Sequence, residues 1–472
     1  MLLGAAKDSA AAAALHASMR IFAREAFLPG GWAPGVAFEI APDGTILDVR
    51  AGAKPRDAEV IDGPVVPGMP NLHSHAFQRA MAGSGERRGS AGDDFWTWRG
   101  AMYALAETLQ PDALHAIALG VYRAMLLAGY TAVAEFHYIH RDPSGAWYAD
   151  KAATSRALIA AANDAGIAIC LLPALYAHAD AGGASLHERQ KRFATDPDDV
   201  LAIAEALRRD HANDPDVVVG ACAHSLRAVT PAELRALIDG SPRDVPVHLH
   251  IAEQEREVDA VHAALGARPV AWLLANHDVD ARWCLVHATQ IDASECDALA
   301  RSGAVAGLCP TTEANLGDGF FPLGPYLAAG GTLGVGSDSN VSLSPVEELR
   351  WLEYGQRLAS QRRIVAAAAT DESCGEALYA RAARGGAQAC GMRAGALAPG
   401  NRADLVVLDD RAAPLAGAPP AARYGASENT PSPRFASVVG HNPATAPLRA
   451  SASRSESSRC VACTMHQRAP TS

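Results

Sequence analysis

Histidine and aspartate side chains recur at the ends of short apolar runs, where together they could bind a metal ion. One run ends in His73-Ser74-His75. Positions i and i+2 of a strand point to the same side, so both imidazoles can reach one ion. Further runs end at His250, at His287 and at Asp338. Imidazole and carboxylate suit Zn²⁺ or Fe²⁺, so the pattern predicts a histidine-rich divalent metal site with one carboxylate.

Each of these features has a simpler interpretation when it is taken alone. A single histidine at a strand end is more often a structural residue, and Ser337-Asp338 could be a turn or a helix cap. We favour the metal site because all four features occur in order on separate strand ends.

The elements that must position these residues are short apolar runs that alternate eight times with longer helical segments. The runs span residues 64–73, 130–138, 167–176, 216–224, 245–251, 282–287, 304–309 and 332–338. The helical segments include 111–128, 150–165, 198–210, 231–239, 253–275 and 345–360. This alternation predicts an α/β fold, a (β/α)8 TIM-like barrel with its chemistry at the C-terminal ends of the strands. A doubly wound open sheet is the alternative, but no GxGxxG motif follows the first strand.

The segments that flank the barrel predict a small β-sandwich annex built from both terminal parts of the chain. Residues 1–65 contain strand-like pieces at 36–40 and 45–49, joined by a turn at 42–44. We place the barrel at 66–385 and the return into the annex at 386–410.

The composition changes abruptly after residue 410. Residues 411–472 hold 14 Ala, 9 Ser, 8 Pro and 7 Arg but only two acidic residues, so they carry a formal charge of +5 in a chain of −11. Such a composition cannot bury a core. We interpret this tail as disordered, or as the product of a frameshift in GC-rich coding sequence.

The overall composition limits the classes of partner. The chain has 472 residues, 49% of them hydrophobic, and a net charge of −11, which argues against a nucleic-acid surface. No apolar stretch predicts a membrane span, and the nine scattered cysteines are typical of reduced thiols. We therefore expect a cytoplasmic protein with no nucleic acid and no membrane partner. The net charge does not argue against a small anionic substrate, because a few local arginines can dominate a pocket.

The order of the metal-site residues resembles that of the amidohydrolase superfamily. The fourth run ends in Cys222-Ala223-His224, so no lysine stands there to bridge two metals, and the chain is similar to the mononuclear deaminase branch. The resemblance implies His73, His75, His250 and Asp338 as ligands of one divalent ion, Zn²⁺ or alternatively Fe²⁺. It implies Glu253 as a proton shuttle and His287 as a second catalytic group beside the reacting water.

Longer motifs resemble the formimidoylglutamate deiminase family. They include 67–83, 93–103, 224–229, 248–254, 308–323 and 337–358. The resemblance implies hydrolysis of N-formimidoyl-L-glutamate to N-formyl-L-glutamate and ammonia in histidine degradation, by a homodimeric enzyme.

Carboxylate groups of such a substrate need guanidinium or hydroxyl donors. The resemblance names Arg99, Arg227 and Tyr138 as carboxylate binders, with Gln78 and His224 as polar neighbours. The alternatives are that the arginines form ion pairs elsewhere and that Tyr138 only packs. At the level of function, the alternatives are a deaminase of another C=N substrate, such as a guanine-type heterocycle, and a relic impaired by the aberrant tail.

Overall fold

A parallel eight-unit barrel dominates the computed structural model, which describes residues 18–83, 95–367, 372–411 and 435–439. Its strands lie in the order β5-β6-β7-β9-β10-β11-β12-β13, with the short β8 pairing β7 ahead of β9. Their bounds are Met69–Ser74 (β5), Tyr130–His137 (β6), Ala168–Leu175 (β7), Val217–Val219 (β8), Ala221–Ser225 (β9), Val247–Ile251 (β10), Trp283–His287 (β11), Val305–Leu308 (β12) and Thr332–Val335 (β13). Every residue of β6 and β7 is buried, as expected for strands covered on both faces.

Backbone hydrogen bonds join the first and last barrel units. The amide of His75 donates to the carbonyl of Asp338 at 2.9 Å, and the amide of Asp338 donates to the carbonyl of His73 at 2.9 Å. The predicted α/β barrel is therefore confirmed.

Helices alternate with the barrel strands. Their bounds are Phe95–Ala106 (α1), Pro111–Leu127 (α2), Ala153–Ala165 (α3), Pro197–Asp210 (α4), Pro231–Gly240 (α5), Glu255–Leu265 (α6), Pro269–Asn276 (α7), Ala293–Ser302 (α8), Pro310–Leu316 (α9), Leu323–Ala328 (α10), Pro345–Ser360 (α11) and Cys374–Ala389 (α12). Six of them carry proline in the first turn, where the missing amide proton costs nothing. Short 3-10 helices span Ala76–Met81 and Glu188–Gln190. None of the helices in the described ranges is long and apolar enough to cross a membrane.

Two predicted elements are each divided in the structure. The predicted helix 253–275 is two helices, α6 and α7, because Gly266 adopts a left-handed φ of 78° and Pro269 starts a new helix. The predicted run 216–224 is likewise two short strands, β8 and β9, that meet at Gly220.

The annex is a six-stranded sheet that draws on both terminal parts of the chain. Its order is β15-β14-β4-β1-β2-β3, with strands Met19–Leu28 (β1), Gly31–Ile40 (β2), Ile46–Arg50 (β3), Glu59–Pro67 (β4), Leu405–Leu408 (β14) and Phe435–Val439 (β15). The predicted pieces at 36–40 and 45–49 belong to β2 and β3, which pair in antiparallel fashion. The domain boundaries remain predictions. Helix α12 runs across the domain boundary proposed between residues 385 and 386. The expectation of disorder or a frameshift concerns residues 411–472, of which the structure describes only Arg411 and β15.

One apolar run supplies strands to both sheets. The predicted run 64–73 contains the end of β4 in the annex and most of β5 in the barrel, separated only by Gly68. A Cβ at Gly68 would lie 2.2 Å from the Thr131 hydroxyl oxygen, so only glycine fits this crossing. The annex and the first metal-site histidine therefore share one continuous segment.

Candidate metal centre and active site

Four side chains from three separate strand ends converge at the C-terminal mouth of the barrel. The Nε2 atom of His73 lies 3.2 Å from that of His75 and 3.0 Å from that of His250. The Oδ1 atom of Asp338 lies 3.5 Å from His73 Nε2 and 3.4 Å from His75 Nε2. All four residues are buried, and their ligand atoms lie within 4.8 Å of one another. A tetrahedral ion with bonds of 2.0–2.1 Å would separate its ligand atoms by about 3.3–3.4 Å, which these distances match.

The hydrogen-bond partners of the imidazoles indicate that this cluster suits a cation. His75 donates from Nδ1 to the Phe136 carbonyl, and His250 donates from Nδ1 to the His224 carbonyl, both at 2.8 Å. Neutral rings so oriented present bare lone pairs at Nε2, and these two atoms lie 3.3 Å apart. Lone pairs that face each other repel, whereas a divalent ion between them binds both. Burial lowers the pKa of both rings, which favours the neutral form that ligates metals.

A buried polar network fixes the backbone of the two ligand-bearing segments. Asn71 donates from Nδ2 to the Ser337 hydroxyl at 2.7 Å, and Ser337 donates to Oδ1 of Asn340 at 2.7 Å. Asn340 in turn donates to the carbonyls of His75 and Asp338, each at 3.0 Å. The network therefore joins the loop after β13 directly to the histidine pair.

Two residues of the site have left-handed backbone conformations that are uncommon for residues other than glycine. The φ angle is 70° at His287 and 45° at Asp338. Such strain persists only where surrounding contacts enforce it, and it clusters at active sites. Here it turns both side chains toward the same point above the barrel.

His287 lies outside the four-residue cluster but beside it. Its Nε2 atom is 3.8 Å from Asp338 Oδ2 and 3.6 Å from Glu253 Oε1, and its Nδ1 atom is 3.2 Å from Glu313 Oε1. Burial opposes the charged imidazolium, but Glu253, the hydrogen bond with Glu313 and Asp338 together raise the pKa of His287 well above its usual value. These acidic neighbours therefore favour the protonated form of a ring that lies within reach of the metal cluster.

Glu253 is a buried carboxyl whose proton affinity suits proton transfer near neutral pH. Burial raises its pKa to about 7, with Asp338 and Glu257 adding to the rise and His287 and Arg227 opposing it. A group that titrates near the working pH can both give and accept a proton.

A cavity opens above this cluster, and all five predicted substrate-binding residues line it. They are Gln78, Arg99, Tyr138, His224 and Arg227. Gln78 donates to the Tyr138 hydroxyl at 3.0 Å, and Arg227 is only 4% exposed. The structure thus brings every residue of the predicted site to one place, although their individual roles stay predictions.

The sequence did not single out several residues of the site. Glu313 hydrogen-bonds His287 and accepts the Cys309 amide at 2.8 Å. It lies inside the motif 308–323, but an acidic residue in the first turn of a helix is common and carries no signal of its own. Tyr103 and Tyr176 also line the cavity, together with Trp98, Met102, Phe193 and Leu316. Aromatic residues of this kind look like core packing in a sequence.

Three further histidines have structural roles. His137 pairs with the Thr154 hydroxyl at 2.9 Å, His140 with the Ala174 carbonyl at 3.2 Å, and His248 with the Ala389 carbonyl at 2.7 Å. All three are buried.

Comparisons with known proteins agree with this geometry. Residues 65–453 match the model of the amidohydrolase family, and residues 19–61 match that of the N-terminal domain of formimidoylglutamate deiminase HutF. A formimidoylglutamate deiminase of Pseudomonas aeruginosa is 52% identical over 398 residues, which cover 84% of this chain and 88% of that protein. A 5-methylthioadenosine/S-adenosylhomocysteine deaminase of Natronomonas pharaonis is 29% identical, covering 77% and 76% of the two chains.

Solved structures share the architecture. An amidohydrolase from Brucella melitensis superimposes with a TM-score of 0.85 at 44% identity, covering 89% of this chain and 93% of that one. A zinc-bound adenosine deaminase from Xanthomonas campestris has a TM-score of 0.73 at 21% identity, covering 89% and 91%, and supports the fold alone. The chain is a metal-binding hydrolase of C–N bonds and belongs to the amidohydrolase family.

Proposed function

We propose that this chain hydrolyses N-formimidoyl-L-glutamate to N-formyl-L-glutamate and ammonia, a step of histidine degradation. The observation that carries the proposal is the cavity that joins the four-residue cluster to two arginines, Arg99 and Arg227. A dicarboxylate substrate needs such cations, whereas a guanine-type heterocycle needs mainly stacking and amide contacts. The 52% identity to the P. aeruginosa deiminase supports the same substrate.

His73, His75, His250 and Asp338 would hold one divalent ion. Three imidazoles and one carboxylate suit Zn²⁺ best, with Fe²⁺ as the alternative. When bound, such an ion would lower the pKa of water at the site toward neutrality and stabilise negative charge that develops on oxygen.

The protein side chains handle the protons of the reaction. Asp338 accepts a proton from the attacking water at its carboxylate, and the charged His287 ring beside it stabilises negative charge that develops on oxygen. Glu253 in its protonated form donates to the imino nitrogen of the formimidoyl group, which makes the carbon more electrophilic. The nitrogen then takes up the proton held by Asp338, its bond to the carbon breaks and it leaves as ammonia. The hydroxyl on the carbon returns a proton to Glu253 and becomes the formyl oxygen.

The far end of the cavity binds the glutamate part of the substrate. Arg99 and Arg227 supply guanidinium groups for the carboxylates, and Tyr138 supplies a hydroxyl held by Gln78. His224 lies between the two ends, with its ring centroid 4.9 Å from that of His250 and 4.6 Å from that of Tyr176.

The test combines metal content with ammonia release. The purified chain, loaded with Zn²⁺ or Fe²⁺, should release ammonia from N-formimidoyl-L-glutamate and not from guanine or cytosine. Glu253→Gln should bind the metal and lose turnover, while Glu255→Gln, an exposed residue two positions away, should retain it. Turnover of guanine in place of formimidoylglutamate, or full activity in Glu253→Gln, would contradict the proposal.

We also propose a cytoplasmic homodimer, as the resemblance implies. Light scattering coupled to gel filtration measures the molar mass directly. A monomeric mass of 49.1 kDa at working concentration would contradict the dimer.

A further inference from the structure

A buried glutamine lies behind two tyrosines of the cavity wall. Gln190 is fully buried and donates from Nε2 to the hydroxyls of both Tyr176, at 2.9 Å, and Tyr103, at 3.2 Å. Both tyrosines line the cavity, whereas Gln190 does not. The three residues come from the 3-10 helix Glu188–Gln190, from the loop after β7 and from α1.

The orientation of the Gln190 amide follows from its other contact. The backbone amide of His187 donates to Gln190 Oε1 at 2.9 Å, and an N–H group can donate only to the oxygen of a side-chain amide. The nitrogen therefore faces the tyrosines, and each of its two protons has a hydroxyl oxygen to bond. The backbone amide of Gln190 also donates to the His187 carbonyl at 2.9 Å, which further fixes the position of Gln190.

We propose that Gln190 is a positioning residue for carboxylate recognition. Its two protons occupy a lone pair on each of the Tyr103 and Tyr176 hydroxyls, so that this tyrosine pair can donate a hydroxyl proton to an anionic substrate oxygen. The inference rests on the proposed function and extends its substrate contacts to two tyrosines. A hydroxyl has one proton and two lone pairs, so occupying a lone pair with a Gln190 proton leaves the hydroxyl proton available for another acceptor.

The surroundings of the tyrosines favour an anion. The guanidinium carbon of Arg99 lies 5.3 Å from the ring centroid of Tyr103. Burial raises the pKa of Tyr176 above its usual value, the hydrogen-bonded Tyr103 side chain adds to the rise, and Arg99 and Arg227 oppose it, so the hydroxyl keeps its proton at neutral pH. Neutral hydroxyl donors beside guanidinium groups form a carboxylate-binding end for the cavity.

The substitution Gln190→Glu reverses the direction of these hydrogen bonds. The variant side chain has nearly the same shape, and one oxygen can still accept the His187 amide. Its other oxygen would accept protons from the tyrosines and place a negative charge near the substrate carboxylates. Gln190→Met retains the length of the side chain, but methionine has no proton to donate to the tyrosine hydroxyls and no charge to attract their protons.

The two variants should differ in a way that a purely structural residue would not show. With N-formimidoyl-L-glutamate, Gln190→Met should raise KM about 3–10-fold and Gln190→Glu at least about 10-fold, the range for neutral and charge-assisted hydrogen bonds. The kcat value should stay within about threefold, because neither tyrosine belongs to the groups that hold the metal or transfer protons. Adding Tyr103→Phe to Gln190→Glu should cost little more, whereas Tyr103→Phe alone should raise KM.

Gln388→Glu is the matched control. Gln388 also donates from Nε2 to two oxygens, the carbonyls of Ala281 and Gly303, but it lies away from the cavity. The KM of the Gln388→Glu variant should equal that of the wild type even if the melting temperature of the variant falls. A KM within threefold of wild type in Gln190→Glu overturns the proposal, as does a larger defect in Gln190→Met than in Gln190→Glu.

Failure of the proposed function would be recognised separately. If the wild type releases no ammonia from N-formimidoyl-L-glutamate, calorimetry with N-formyl-L-glutamate still measures carboxylate binding by the metal-loaded protein. Weaker binding by Gln190→Glu than by the wild type would sustain the inference about Gln190. Equal binding, or no binding by the wild type, would overturn it.

Discussion

Asn340 hydrogen-bonds the backbone where the first and last barrel units meet beside the metal cluster. Removing its side chain should lower both the stability of the fold and the affinity for the metal. The residue is fully buried and adopts a left-handed φ of 60°. Its Nδ2 atom donates to the carbonyls of His75 and Asp338, at 3.0 Å each, and lies 3.3 Å from the Ser74 hydroxyl. Its Oδ1 atom accepts from Ser337.

The cost of Asn340→Ala can be worked from these contacts. Three good hydrogen bonds are lost at about 1 kcal/mol each, and the carbonyls of His75 and Asp338 keep their other donors, the amides of Gln78 and His75. Alanine in a left-handed conformation costs about 1–2 kcal/mol more. We therefore expect the free energy of unfolding of the metal-free chain to fall by about 4 kcal/mol. Asn340→Gly should cost about 1 kcal/mol less, because glycine tolerates this φ.

The same substitution should reduce metal affinity. The lost bonds hold the backbone of two proposed ligands, and removing such supporting contacts typically costs 10–100-fold in affinity. Urea titration of the metal-free variants measures the stability change, and competition with a chromophoric chelator measures Zn²⁺ affinity.

Asn401→Ala provides the control for a general loss of stability. Asn401 donates from Nδ2 to the Ala396 carbonyl at 2.9 Å, in the segment that leads back to the annex. Its loss should lower the unfolding free energy by about 1 kcal/mol and leave Zn²⁺ affinity unchanged. The reasoning is refuted if Asn340→Ala loses stability as expected but binds Zn²⁺ within threefold of the wild type.

Three further predictions concern the substrate, the charged histidine and acid stability. Arg227→Met should raise KM for N-formimidoyl-L-glutamate about 10–150-fold, equivalent to 1.5–3 kcal/mol, while exposed Arg235→Met should not; similar KM values in steady-state assays would contradict the role of Arg227. Glu313→Gln removes a group that raises the pKa of His287, so the alkaline limb of the kcat/KM profile should move to lower pH; an unmoved limb would argue against a charged His287. Burial lowers the pKa of His140 to about 4 in the folded protein. As pH falls below about 6.5, this histidine is therefore protonated in the unfolded chain at a higher pH than in the folded chain. The metal-free wild type should therefore lose about 3 kcal/mol between pH 6.5 and 4 through this residue, and His140→Gln should lose correspondingly less in urea titrations; equal losses would contradict the assignment.

The barrel could be predicted from the sequence because its strands are buried on both faces. Continuous apolar runs of the length of β6 and β7 are uncommon outside parallel sheets, and prolines mark the helix starts between them. The break at Gly266 is missed because the apolar periodicity continues through it, although Gly266 and Pro269 are the residue types that end one helix and begin the next.

The proposed ligands could be found because strand ends give histidine and aspartate a fixed direction. Supporting groups have no such constraint. Glu313, Gln190 and Asn340 act through contacts with residues 14 to 265 positions away, and no local pattern distinguishes them from other polar residues. The sequence therefore predicts which groups meet, and only the structure shows which groups hold them.

The passage from annex to barrel shows why this support extends beyond the cavity. Pro67 pairs with Leu405 in the annex sheet, and its carbonyl accepts the hydroxyl proton of Tyr379 from α12 at 2.7 Å. The next amide, that of Gly68, donates to the Asp404 carbonyl at 2.9 Å, and the chain then runs through β5 to His73. Because no loop separates these contacts from the first proposed ligand, the annex fixes where β5 enters the barrel. The position of His73 thus depends on pairing with a segment that lies more than 330 residues later in the chain.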